Sequence, residues 1–295
     1  MKNFIGSRVL PDLVYHHPRD MREALGLLNE IAGECKIISG CTDLIPAIRR
    51  GAWSFDDGLN VVDIKGMKEL TSIKKDGDTI CIGAATRLSE IVHSPVIREH
   101  TPVLADAVNE MASLQVRNSA TIGGNICTAS PAADTAPPLL VLDAQAKVKS
   151  FDKEELVPLN QFFVGPGETV LGSKDILTEI QFPILRPDEK TYRIKLGRRN
   201  AFTLSVISVA TWVKVKDGVF DSVRIALGAV APIPMRAKNA EEYLTGKEAT
   251  AQVIDKGAKV VEGEVKPISD VRANAEYRKD MAYILTKRAL MACVN

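Results

Sequence analysis

The chain has 295 residues, of which 45% are apolar and 25% charged, with a formal charge of +1. That length is about twice the ~150 residues of a single domain, and the balanced composition excludes extended disorder. A charge near zero argues against a dedicated nucleic-acid protein or an anionic-membrane binder, and no apolar run reaches the ~18 residues of a membrane span. Met1 to Tyr15 lacks the continuous apolar core of a signal peptide. Cys35, Cys41, Cys81, Cys127 and Cys293 are scattered without a C-x-x-C pair, so neither a disulfide framework nor metal-ligand spacing is present. A reduced, cytoplasmic protein is expected.

In chain order, Asp20 reads as the cap of an amphipathic helix with Ala24, Leu25, Leu28 and Ile31 on one face. Cys35 to Ser39 is a short buried strand stopped by Gly40. Thr42-Asp43 then supplies caps for a helix through Leu44, Ile45, Ala47 and Ile48 that ends near Gly51, and Val61 to Ile64 is a second strand. Strand, turn, helix and strand outline a βαβ unit. Thr79 to Gly83 is a strand, and Thr101-Pro102 opens a helix whose Leu104, Ala107, Val108 and Met111 share a face. A loop rich in Gly, Asn, Ser and Pro runs from Asn118 to Pro138, followed by the apolar run Leu139 to Leu142 and strands near Ala146 to Phe151 and Ile176 to Phe182. Pro183 and Pro187 mark a linker. Beyond it, Tyr192 to Leu196, Ser205 to Val215 and Val219 to Val230 read as strands, the last two joined by the hairpin signal Asp217-Gly218. Helices begin near Asn239 and Thr250, and a long one follows Ser269 with Met281, Ile284, Leu285 and Leu290. Strands followed by clustered helices give an α+β fold class.

Two segments carry chemistry. Ile38-Ser39-Gly40-Cys41-Thr42-Asp43-Leu44 takes a strand directly into a helix start, leaving backbone N–H groups free to meet a phosphate or diphosphate. An ordinary strand-to-helix turn capped by Thr42 or Asp43 fits the same residues. Thr121-Ile122-Gly123-Gly124-Asn125, continuing to Ser130-Pro131 and Asp134, joins adjacent glycines that admit close backbone approach to neutral hydrogen-bonding groups. A turn followed by a helix starting at Pro131 is the alternative. Neither segment is G-x-G-x-x-G, and Gly167 to Lys174 misses the nucleoside triphosphate pattern because Ser173 follows the second glycine. His16-His17 reads as a polar turn, Trp53 and Trp212 as packing residues, and no nucleophile–base set can be assembled from the four histidines.

In this order and spacing the two segments resemble the FAD-binding medium subunits of the molybdenum hydroxylases, the family of xanthine dehydrogenase, aldehyde oxidoreductase and carbon monoxide dehydrogenase. The match also takes in Pro18 with Glu23-Ala24, Ile82-Gly83-Ala84-Ala85-Thr86, Phe162-Phe163-Val164-Gly165-Pro166 and Ile176-Leu177-Thr178-Glu179-Ile180. It continues through Arg198-Arg199 to Ala273-Asn274-Ala275-Glu276-Tyr277-Arg278. The resemblance implies a two-lobed PCMH-type (vanillyl-alcohol oxidase-like) FAD-binding domain at 1–185, with lobes of about 1–60 and 61–185. A smaller C-terminal α+β domain at 186–295, an antiparallel sheet plus helices, would follow.

It implies that Ile38 to Leu44 wrap the FAD diphosphate together with Gly123, Gly124 and Asn125. Thr86, Thr121, Ser130 and Asp134 would line the cofactor, and Leu177 and Lys195 would sit near the isoalloxazine. Met111 stands where some relatives carry an aromatic. Cys41 replaces a usual Gly or Asn, so its side chain must point away from the phosphates. Asn200-Ala201-Phe202 departs from the family's acidic pattern after the paired arginines. No residue is named as catalytic and none as a metal ligand. The implied partners are a large molybdopterin-binding subunit and a small subunit with two [2Fe-2S] clusters, in a dimer of heterotrimers that passes electrons to NAD+ or another acceptor. A stand-alone flavin oxidase of the vanillyl-alcohol type is the alternative reading.

Overall fold

The computed structural model describes residues 10, 12–31, 34–51, 58–200 and 202–294; Trp53 and Ala201 lie outside them. The first lobe is a three-stranded parallel sheet. It contains β1 (Leu13–His16), α1 (Met21–Glu30), β2 (Cys35–Ile38), α2 (Leu44–Arg49) and β3 (Leu59–Asp63), with strand order β1-β3-β2. Asp20 caps α1 as expected, its carboxylate accepting from the Glu23 N–H at 2.9 Å. Met21, Ala24, Leu25 and Leu28 recur at helical spacing and are buried. Adjacent residues of β3 point to opposite faces: Val62 packs with α1, and Val61 with Ile38 and Ile48 beneath α2. Strand β1 went unread in the sequence because its four residues are mostly exposed and carry no alternation.

The second lobe is an antiparallel sheet covered by short helices. Its elements are β4 (Ile73–Asp76), β5 (Thr79–Gly83), α3 (Leu88–His93), α4 (Pro95–His100), α5 (Pro102–Asn109), α6 (Leu114–Arg117), α7 (Ile122–Cys127) and α8 (Ala136–Val141). These are followed by β6 (Gln145–Lys149), β7 (Glu154–Pro158), α9 (Leu159–Phe162), β8 (Phe163–Gly165), β9 (Glu168–Thr169) and β10 (Ile176–Pro183). The five-stranded order is β4-β5-β10-β6-β7, so β10 fills the centre. Proline opens α4 and α5, where a missing N–H is harmless. Three expectations change. The stretch from Asn118 to Pro138 is not one loop, since it contains α7 and the start of α8. Pro131, the alternative helix start, begins a turn; the apolar run Leu139 to Leu142, left without an element in the sequence, closes α8. Met111 falls beyond the end of α5, followed by Ala112 in the left-handed region at φ 46°.

The C-terminal part is a four-stranded antiparallel sheet, β11 (Glu189–Gly197), β12 (Ser205–Lys216), β13 (Val219–Gly228) and β14 (Met235–Arg236), in sequential order. It is packed by α10 (Lys238–Leu244), α11 (Ala251–Glu264) and α12 (Ala275–Val294). Asp217 and Gly218 turn β12 into β13 with φ of 50° and 76°, the tight-hairpin geometry their sequence predicts. Strand β12 is apolar on both faces because both are covered. Ile207, Val209 and Val213 face the helices, whereas Ala210 and Trp212 join the second-lobe core. Arg224 and Arg236 tie the sheet to α8, donating to the Val141 carbonyl at 3.0 Å and the Leu140 carbonyl at 3.2 Å. Both also pair with Asp143, at 2.9 and 2.6 Å. Arg224 lies over the Trp212 ring, 4.0 Å from its centre, so this tryptophan packs as expected.

Two outcomes follow for stability. A Cβ at Gly83 would sit 2.4 Å from the Leu70 backbone. Gly83→Ala should therefore cost about 2 kcal/mol or more, read as a lowered midpoint of thermal unfolding. Burial opposes ionisation of Asp270, yet hydrogen bonds from Arg272 and Arg278 hold its carboxyl well below the usual aspartate range. A depressed folded-state value stabilises above the unfolded value of about 4 and loses that contribution as pH falls below it. Asp270→Asn should thus unfold more easily than the wild type at pH 7, the two converging toward about pH 2.

Candidate flavin-dinucleotide site

The first segment leaves the C-terminal end of β2, the edge strand beside β3, and meets the second lobe at Ser119 and Ala120. Gly40 is required there by close approach: a Cβ would sit 2.3 Å from the Ser119 carbonyl oxygen and 2.7 Å from the Ala120 Cα. Cys41 adopts φ 56°, a conformation that explains why Gly or Asn is usual at the position. Its side chain packs, partly buried, against the first-lobe core. Burial raises the Cys41 thiol pKa, with a smaller opposing effect from Lys65, so the thiol stays protonated and inert.

Among the described residues, the backbone N–H groups from Gly40 to Leu44 donate to no protein acceptor. The buried hydroxyl of Ser39 also lacks a partner. Unpaired donors beside an orphaned hydroxyl suit an anionic ligand, since buried polar groups are otherwise satisfied. Asp43 does not cap α2; its carboxylate accepts from the Thr128 hydroxyl at 3.0 Å, joining the two lobes across the site.

The second segment is built differently. Thr121 caps α7 by accepting from the Gly124 N–H at 3.1 Å, the Gly123 N–H donates to the Ala84 carbonyl at 2.8 Å, and the Asn125 N–H donates to the Thr121 carbonyl at 3.0 Å. These three amides are paired within the chain, unlike those from Gly40 to Leu44. A Cβ at Gly123 would meet Ala84 at 2.7 Å, which makes this glycine a packing requirement. Gly124 is exposed, and an added Cβ would meet only the Thr121 hydroxyl, at 3.0 Å. Thr128, one turn further on, bonds the Gly124 carbonyl at 2.8 Å and Asp43 at 3.0 Å, which links the second segment to the first. Thr128 was not singled out in the sequence; its spacing of four from Gly124 is the signal that was available.

The other expected residues fall into two groups. Ile38, Thr86 and Leu177 are buried: Ile38 in the first-lobe core, Leu177 in the second, and Thr86 with its hydroxyl 3.4 Å from the Ser72 carbonyl. The Ser130 hydroxyl accepts from the Ala132 N–H at 3.3 Å, and the Asn125 carboxamide oxygen accepts from Thr135. Asp134 and Lys195 form an ion pair of 2.7 Å with side chains only 10% and 7% exposed. The other Asp134 oxygen accepts from the Ser205 hydroxyl at 2.6 Å, and Lys195 also donates to the Glu110 carbonyl at 3.2 Å, next to Met111. This latch joins the C-terminal sheet to the second lobe. Thr42 stays in the turn ahead of α2.

At the end of β3, the Asp63 carboxylate accepts from the Tyr15 hydroxyl and the Lys65 backbone N–H and pairs with the Lys65 ammonium at 2.8 Å. His16 bonds Asn60 at 3.0 Å and His17 stacks on Tyr15, so neither histidine is in a ligand cluster.

Residues 8–185 match the family described as the FAD binding domain in molybdopterin dehydrogenase, and residues 191–293 match the CO dehydrogenase flavoprotein C-terminal domain. The xanthine dehydrogenase FAD-binding subunit of Escherichia coli O157:H7 is 31% identical over 95% of each chain. The carbon monoxide dehydrogenase medium chain of Hydrogenophaga pseudoflava is 29% identical over 96% of this chain and 97% of its own. A solved structure of carbon monoxide dehydrogenase from that organism superposes with a TM-score of 0.92 at 30% identity, covering 97% of this chain and 98% of the other. The two-lobed PCMH-type domain and the C-terminal α+β domain are therefore those of the resemblance, and the chain belongs to the FAD-binding medium subunits of the molybdenum hydroxylases, an oxidoreductase family.

Proposed function

We propose that this chain is the flavin-carrying electron-transfer subunit of a molybdenum-containing dehydrogenase, working between a small partner with two [2Fe-2S] clusters and NAD+ or another acceptor. Substrate would be oxidised on a large partner holding the molybdenum-pterin cofactor, and the assembly would be a dimer of heterotrimers in the cytoplasm. A division at about residue 185, with lobes meeting near residue 60, goes with this reading. The observation that carries it is the turn from Ser39 to Leu44, whose amides and orphaned hydroxyl find no partner among the described residues. The free cysteines favour a reducing compartment, and no described helix is long and apolar enough to cross a membrane. A stand-alone oxidase is disfavoured because the chain spans 95% of the length of a relative named as a subunit.

Bound FAD supplies redox chemistry that no side chain offers, and the protein's task is to hold and orient it. The amides of Gly40 to Leu44 and the Ser39 hydroxyl would take the diphosphate. The exposed face of Gly124 would let it approach. Lys195, fixed by Asp134 and the Glu110 carbonyl, would place a positive charge near the isoalloxazine, with Met111 beside it. Buried Ile38, Thr86 and Leu177 would set the backbone beneath these groups.

Purified chain should carry, or take up, FAD in a one-to-one ratio, released intact on denaturation and identified by mass. A folded chain that binds no added FAD would refute the reading. The two glycines of the second segment should also separate. Gly124→Val should fold yet bind FAD at least about tenfold more weakly, because its side chain occupies the ligand's approach. Gly123→Ala should instead lose about 1–3 kcal/mol of stability through its clash with Ala84. Full FAD affinity in Gly124→Val would remove the second segment from the site.

A further inference from the structure

We infer that Lys65 is a phosphate-binding residue of the dinucleotide site, held at the mouth of the first-lobe sheet by a buried carboxylate. The inference rests on the flavin reading above and adds an exposed ammonium donor to its backbone amides. A dinucleotide diphosphate carries two negative charges, and amides alone offer it only dipoles. The sole cation among the expected site residues is Lys195, whose side chain is 7% exposed and whose ammonium is taken up by Asp134 at 2.7 Å and the Glu110 carbonyl at 3.2 Å. Asp43 contributes a further negative charge at the turn.

Strand register puts Lys65 at the right end of the sheet. Asp63 lies opposite Ile38 across β3 and β2, and the Ile64 N–H donates to the Ile38 carbonyl at 3.0 Å. The chain leaving β3 therefore runs beside the chain entering Ser39 to Cys41. Asp63 is fully buried at its side chain, whereas the Lys65 side chain is 59% exposed. One carboxylate oxygen accepts from the Lys65 N–H at 3.0 Å; the other takes the Lys65 ammonium at 2.8 Å and the Tyr15 hydroxyl at 2.5 Å. The carboxylate is thus anchored from three directions, and the ammonium keeps hydrogens to donate toward solvent at the same edge as the unpaired amides. The bond to Asp63 raises the Lys65 pKa, which keeps the group charged. The unpartnered Ser39 hydroxyl on the neighbouring strand end independently marks this edge as waiting for an acceptor.

The test uses the full chain freed of flavin, as wild type, Lys65→Met and Lys65→Arg, with FAD, ADP and riboflavin as ligands measured by calorimetry or flavin fluorescence. Lys65→Met should weaken FAD and ADP by about tenfold, the worth of one charge-assisted contact, and Lys65→Arg should stay within about threefold of wild type. Riboflavin, which has no phosphate, should bind wild type and Lys65→Met alike. The salt dependence of FAD affinity should also flatten in Lys65→Met. Equal FAD affinity in wild type and Lys65→Met would overturn the inference while leaving flavin binding intact. An equal loss for riboflavin would overturn it as well, showing that Lys65 serves only the fold of the strand end. A folded wild type that takes up no FAD would overturn the flavin reading and this inference together.

Discussion

Backbone set directly on backbone, with no side chain between, is the constraint on which the site depends. Gly40 lies on Ser119 and Ala120, Gly123 on Ala84, and Gly83 on Leu70. The latter two approaches carry hydrogen bonds nearby, from Gly123 to Ala84, from Gly83 to Ser72 and from Ala85 to Leu70. Such contacts leave little room to slide, because burying an unpaired amide costs more than the pair contributes. They fix the end of β2 against the chain entering α7, and the turn after β2 is left with amides that no described residue reaches.

Charge around this turn is organised in closed units. Asp134 is matched by Lys195 and Ser205, Asp63 by Lys65 and Tyr15, and Asp43 by Thr128. Each carboxylate is thus held before any ligand arrives, which limits the reorganisation that binding requires.

The sequence is legible where a local period or a local cap decides the structure. Helix α1 with its Asp20 cap, the hairpin at Asp217-Gly218 and helix α11 after Thr250 depend on residues a few positions apart. The fold family was legible through its spaced motifs as well. What escaped is long-range. The Asp43–Thr128 and Asp134–Lys195 contacts join residues far apart in the chain, and no periodicity reports them. Helix α7 was hidden because glycines read as loop, although its hydrogen bonds and the Thr121 cap outweigh their poor propensity. Adjacent glycines also have two meanings that a sequence does not separate: Gly123 accommodates the protein's own backbone, whereas Gly124 presents a bare surface.

The arginines that reach α8 from the C-terminal sheet bear on how the two domains coexist. The carbonyls of Leu140 and Val141 end a helix, and the sheet adds donors to them through Arg236 and Arg224, while Asp143 pairs with both guanidinium groups. Trp212 and Ala226 simultaneously complete the apolar interior of the second lobe. A fragment cut after β10 would therefore lack the plug of its own core as well as the two arginines that bond the end of α8. The cofactor-holding half and its C-terminal companion are interdependent pieces rather than a carrier with a detachable appendage.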